Sequence, residues 1–170
     1  NTGEEPEAGT AVQLWSNEGR FIAHGLWNSA STIRVRLYSW QQSEFIDEEF
    51  LAARIHDAVQ LRRPLFDLEN DRTGCRLIFS EADNLSGLTV DFYGGFILVQ
   101  FTSLALYLRR ELIIGILARE LTPRGIWLRT EKGMREAEGL EAVDGLIAGD
   151  EPPRPLFIDA HGVEYGIDVV

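Results

Sequence analysis

The 170-residue sequence contains one cysteine and three histidines. A lone thiol, Cys75, excludes an internal disulfide and any cysteine-rich zinc site, which fits a reducing compartment and makes the cytoplasm the expected location. His24, His56 and His161 have no helical i, i+4 histidine, so the sequence holds no histidine pair at metal-ligand spacing. No segment approaches the roughly 18 apolar residues of a membrane span, since Phe96 to Leu108 is interrupted by Gln100, Thr102 and Ser103, and the first residues lack the basic-then-apolar pattern of a secretory signal. Also missing are a Gly-x-Gly-x-x-Gly turn after a strand, a Walker-type loop, a Gly-x-Ser-x-Gly elbow and a His-Glu-x-x-His helix, which leaves no local motif for nucleotide binding or hydrolysis. Basic charge is scarce, with 16 Lys and Arg against 27 Asp and Glu and a formal net charge of −11. Non-specific binding to polyanions is driven by clustered basic residues displacing counterions, so any RNA contact must be local.

What remains is the composition of an ordinary folded protein, 45% apolar and 25% charged. Residues 1 to 9 have no periodic apolar signal. Ala11 to Trp15, Phe21 to Trp27 and Thr32 to Trp40 read as three strands, the first two joined by the Asn17-Glu18-Gly19 turn. In Ile33 to Tyr38 apolar and basic residues alternate, which predicts one buried face and an outer face presenting Arg34 and Arg36. Asp47 is a good cap for an amphipathic helix that Pro64 terminates. Ser103 can cap a second helix, apolar around most of its circumference, ending before Pro123, and Gly125 to Arg129 returns as a strand. Strand, helix, strand predicts a crossover unit of α/β character. Glu131 to Asp150, with four glycines among carboxylates, reads as a long loop carrying a short helix around Met134 to Glu138. A hairpin around His161-Gly162 closes the sequence on an apolar strand, the mark of a chain that continues.

The centre of the chain is Cys75 to Asp91, flanked by Gly94-Gly95 and the apolar run Phe96 to Phe101. Leu77 to Phe79, Leu88 to Val90 and Phe96 to Phe101 read as strands of one sheet. The connection between the first two clusters Glu81, Asp83 and Asp91. Three carboxylates in a tight turn suit acid–base or metal chemistry, yet Asp, Asn, Ser and Gly are also what such a turn needs, with Arg76 at hand as an ion-pair partner. Cys75 heads an apolar strand with no histidine near it in sequence and reads as a structural thiol.

The run Cys75-Arg76-Leu77-Ile78-Phe79-Ser80-Glu81-Ala82-Asp83-Asn84-Leu85-Ser86-Gly87-Leu88-Thr89-Val90-Asp91 resembles the central-domain signature of the PUA-containing, S-adenosylmethionine-dependent methyltransferases that make 5-methylcytosine in large-subunit ribosomal RNA. Gly19-Arg20-Phe21 with Gly25 and Asn28, Ile33 to Arg36, Arg62-Arg63, Arg129 with Glu138-Gly139-Leu140, and His161-Gly162-Val163 are similar as well. The resemblance implies an α+β chain: a partial PUA-like β-barrel over residues 1–43, then a small α/β central domain with a mixed sheet over 44–170, leading into a Rossmann-like methyltransferase domain not contained here. It implies S-adenosylmethionine as cofactor of the parent enzyme and none in this segment. No catalytic or cofactor-binding residue can be carried over.

Two functions of different class follow. The first is the RNA-recognition and central portion of an rRNA (cytosine-5) methyltransferase. Its partners are ribosomal RNA and its own C-terminal methyltransferase domain, and homodimerisation is left open. Arg34, Arg36, Arg62, Arg63 and Arg76 are the expected phosphate contacts, because the planar guanidinium fork suits phosphate. Glu81, Asp83 and Asp91 are expected to face the cleft of the catalytic domain. The second is a non-enzymatic module whose acidic surface and sheet edges dock a protein. A hydrolase using the same three carboxylates with a divalent metal stands behind both.

Overall fold

A computed structural model describes residues 5–130 and 132–169. Strands β1 (Ala11–Trp15), β2 (Phe21–Trp27) and β3 (Val35–Ser39) form an antiparallel sheet in that order. Among the described residues these three strands do not close into a barrel. Helix α1 (Glu48–Arg62) starts where Asp47 accepts the Phe50 N–H at 2.9 Å, with Glu48 and Glu49 in the first turn favoured by the helix dipole. A five-stranded sheet follows in the order β4 (Gly74–Phe79), β5 (Leu88–Tyr93), β6 (Phe96–Phe101), β7 (Gly125–Arg129), β8 (Gly145–Gly149). Only β6 and β7 are parallel, joined by the expected helical crossover. Hairpin β9 (Leu156–Ala160) and β10 (Val163–Ile167) forms a separate two-stranded sheet. The fold is thus α+β with a mixed sheet.

Helix α1 and the crossover helices pack on one face of the five-stranded sheet. Their Leu51, Ile55, Leu106, Ile113 and Leu117 share one core with Val90, Val99 and Leu128 of the strands. Leu26 and Tyr38 of the N-terminal sheet belong to the same core, so the two sheets are packed together. A bulge in β4 between Arg76 and Ile78 turns both Leu77 and Ile78 into this core, where neither is exposed to solvent. An extra residue in one strand allows two consecutive side chains to face the same way.

Register also defines the opposite face. One row across it is Phe79, Thr89, Gln100 and Arg129, and the next is Arg76, Asp91, Leu98, Trp127 and Leu146. At one end Ile158 of β9 fills the space above Gly74, and Pro152 and Val169 form a crevice with Tyr93, Leu98 and Trp127.

Three sequence expectations are corrected. The crossover is two helices, α2 (Leu104–Tyr107) and α3 (Arg110–Leu121), because the chain tightens at Arg109, whose N–H bonds Leu106 O at 2.9 Å. Leu108 consequently leaves the buried side and covers Gly9, where an added Cβ would lie 2.9 Å from its Cδ1. The helix expected around Met134 is α4 (Lys132–Glu138), but the loop after it contains strand β8. Its glycines read as loop punctuation, yet Gly149 serves close approach: a Cβ there would lie 2.2 Å from Arg124 O, and one on the facing Gly125 of β7 2.1 Å from Asp150 O. The third strand is also shorter than expected, Val35–Ser39 in place of Thr32 to Trp40.

Two glycines make this packing testable. Gly87 has φ +91° and an added Cβ would sit 2.3 Å from Ser103 Cβ, whereas Gly115, inside α3, has nothing within 4 Å. Gly87→Ala is expected to cost roughly 1–3 kcal/mol or more through backbone strain and clash. Gly115→Ala should add about 0.5–1 kcal/mol by relieving helix entropy. Urea unfolding of both variants checks the opposite signs.

Candidate functional site

The turn between β4 and β5 is held by its own side chains. Ser80 (φ 47°) and Asn84 (φ 57°) adopt left-handed backbone, uncommon for residues with a Cβ. Ser80 Oγ accepts the Gly87 N–H at 2.9 Å and Asp83 Oδ2 accepts the Phe79 N–H at 2.6 Å, which fixes the turn at both ends. Asp83 also receives both arms of the Arg62 guanidinium, at 2.5 and 2.9 Å, tying the end of α1 to the turn. Asp91 of β5 receives a second fork from Arg76, at 2.8 and 3.0 Å. Such two-point pairs fix orientation as well as charge. Glu81 accepts the Ser86 hydroxyl at 2.7 Å and lies 3.7 Å from Arg36. Hydrogen bonds from Ser80 and Ser86 hold its carboxyl below the usual range, with a smaller pull from Arg36.

A further carboxylate, Glu138 at the end of α4, is buried at 3% exposure. It accepts from Ser31 Oγ at 2.7 Å, Arg36 Nη2 at 2.8 Å, Asn28 Nδ2 at 3.0 Å and the Leu104 N–H at 3.4 Å. Burial by itself raises its pKa, but the hydrogen bonds from Ser31 and Arg36, the Arg36 charge and the Asn28 amide outweigh it, and the net direction is down. One carboxylate thus joins the β2–β3 connection, β3, the start of α2 and α4. Tyr38 extends the junction by donating its buried hydroxyl to Ser86 O at 2.6 Å, and burial pushes its pKa up.

The five expected arginines are therefore not equivalent. Arg34 and Arg36, predicted to share an outer face, divide: the Arg34 side chain is 56% exposed and pairs with Glu5 at 2.7 Å, whereas Arg36 is 15% exposed and turned to Glu138. Arg34 also lies over the Trp27 ring, 5.9 Å from its centroid. Arg62 is occupied by Asp83, Arg63 is exposed and donates to Glu120 O at 3.4 Å, and Arg76 is half-exposed beside Asp91. Of the three carboxylates, the Glu81 side chain is 69% exposed, Asp83 4% and Asp91 8%. Arginines occupy Asp83 and Asp91, so the trio offers no open set of oxygen ligands. Glu138 is the residue the sequence reading did not single out for a role. It is separated from Asn28, Ser31 and Arg36 by more than 100 positions, beyond the reach of any local pattern.

A family model for a PUA-like domain matches residues 1–40. Across 97% of its length the chain is 34% identical to ribosomal RNA large subunit methyltransferase I of Shewanella amazonensis, and across 96% it is 35% identical to that of Erwinia tasmaniensis. In both cases it spans only 41% of the relative. A solved SAM-dependent methyltransferase from Streptococcus mutans superposes with a TM-score of 0.76 at 18% identity, over 95% of this chain and 40% of that one. A methyltransferase solved in complex with SAH superposes with a TM-score of 0.77 at 18% identity. At that identity the superpositions speak for the fold.

The Glu138 junction yields a stability prediction. Arg36→Met strands a buried carboxylate and should cost roughly 3–5 kcal/mol, while the Arg36→Met/Glu138→Leu pair should cost less than the sum of the two single changes. The folded pKa values of Glu81 and Glu138 lie below their unfolded value. Their stabilisation is therefore full above the ordinary glutamate pKa of about 4.3 and is lost as pH falls through the lower folded values. Urea midpoints at pH 6 and pH 3 should differ less in Glu138→Gln than in the unmodified chain.

Proposed function

We propose that the chain is the RNA-recognition and central portion of an S-adenosylmethionine-dependent rRNA methyltransferase acting on cytosine C5. The observation that carries this reading is the alignment of nearly the whole chain with 41% of the length of proteins named rRNA large subunit methyltransferase I, 34% and 35% identical. The PUA-like match over residues 1–40 and the superposition with methyltransferase structures support it. In this reading residues 1–43 recognise RNA, residues 44–170 connect recognition to catalysis, and ribosomal RNA and a methyltransferase domain of the same protein are the partners.

In this reading S-adenosylmethionine is not held at the crossover of the five-stranded sheet. Such cofactors sit against a glycine-rich turn from a strand into a helix, where free backbone N–H groups face the ligand. Here the turn from β6 into the crossover is Thr102-Ser103, and the helix it opens is the four-residue α2. We therefore assign the cofactor and the methyl transfer to the remainder of the parent enzyme. In this reading Glu81, the exposed carboxylate of the central turn, faces that domain, and Asp83 and Asp91 act through the arginines they hold.

For phosphate contact the exposed Arg34 and Arg63 are the leading candidates, with Arg36 and Arg62 positioning the elements around them. Fluorescence anisotropy with a structured rRNA fragment over a salt series tests this. Arg34→Ala/Arg63→Ala should lower the slope of log affinity against log salt by about 2, one for each phosphate contact. A chain whose binding is insensitive to salt would instead support docking to a protein through apolar surface.

A further inference from the structure

The helix-free face of the five-stranded sheet has a composition unlike the rest of the chain. Against a net charge of −11, it carries two arginines, Arg76 and Arg129, and a single carboxylate, Asp91, which Arg76 neutralises. Arg129 donates to the backbone oxygen of Val169 at 3.0 Å, which leaves its charge uncompensated by that contact. Burial and the Asp91 charge push the Tyr93 phenol up, against smaller downward pulls from Arg76 and Arg129. Phe79, 54% exposed, lies under the Arg76 guanidinium at 5.1 Å. Trp127, in the adjacent row, is half-buried beside Pro152 and Val169, so the accessible part of the face is the row in which Thr89 and Gln100, neutral groups able to donate and accept, stand between Phe79 and Arg129.

We propose that this face is a platform for a short stretch of single-stranded RNA. Exposed rings on a sheet stack with bases because every base has a π-face, arginines follow the backbone, and amide and hydroxyl groups read base edges. Asp91, 8% exposed, holds that guanidinium, which lies over the Phe79 ring. The β4 bulge is what makes the platform: without it Phe79 would lie on the core side and Ile78 on the open side. The inference rests on the reading of this chain as part of an RNA enzyme. It adds a second RNA surface, distinct from the exposed arginines Arg34 and Arg63, with an unpaired strand in place of structured RNA as its ligand.

The test is fluorescence anisotropy of the 170-residue chain with a labelled single-stranded decaribonucleotide of mixed sequence and with a structured rRNA hairpin, at low salt. Phe79→Ala removes an exposed ring and should weaken the single strand about fivefold or more, at an unchanged melting temperature and with little effect on the hairpin. Arg34→Ala/Arg63→Ala should give the reverse pattern. A second measurement does not depend on variants: ultraviolet crosslinking of the decamer carrying 5-iodouridine should map to peptides containing Phe79 or Trp127. Unchanged single-strand affinity in Phe79→Ala, crosslinks confined to the N-terminal sheet, or a concentration-dependent dimer that buries this face would each overturn the platform. If the hairpin still binds, the proposed function survives that outcome; if neither RNA binds, both fall.

Discussion

A carboxylate buried to the extent of Glu138 survives only when donors surround it, because an unpaired charge in such a place costs several kcal/mol. That requirement organises the molecule. Meeting it brings Asn28 and Ser31 from the N-terminal connection, Arg36 from β3 and the start of α2 to one point. The three-stranded sheet is small, with edges that would otherwise need covering. It gains its place by contributing polar groups to Glu138 and apolar ones, Leu26 and Tyr38, to the common core. The same Arg36 that binds Glu138 reaches Ser86 at 3.4 Å and approaches Glu81, so the junction continues into the central turn without a break.

Arginine is spent inside this protein before it is offered outside. Arg36, Arg62 and Arg76 each bind a carboxylate of low exposure. An acidic chain can build its framework this way, since each pair fixes two elements at once: α1 to the central turn, β4 to β5, β3 to α4. Among the described residues most arginines have a carboxylate partner, and with a net charge of −11 long-range attraction of polyanions is weak.

The parts of the fold legible in the sequence were those written in local chemistry. The Asp47 cap, the three N-terminal strands, the Gly94-Gly95 hairpin and the closing hairpin all depend on neighbours within a few residues. Strand β8 was not legible, because its glycines signal a loop until β7 is laid beside them. Nor was the break at Arg109, where the apolar periodicity runs on but the chain turns. Among candidate residues the sequence located the arginines and the carboxylates but could not pair them. Pairing is a tertiary fact, and it converts a catalytic-looking trio into one exposed glutamate and two structural aspartates.

The bulge in β4 links sequence to surface most directly. A regular strand from Gly74 to Phe79 would alternate, sending one of Leu77 and Ile78 outward and reversing the face of Phe79. The extra residue lets both aliphatic side chains enter the core, where each is fully buried, and it also delivers an aromatic ring to the open side beside Arg76. Core stability and the chemistry of the open face are thus set by one irregularity of pairing. A change that restored regular register would have to sacrifice one of them, since each inward position gained costs an outward one.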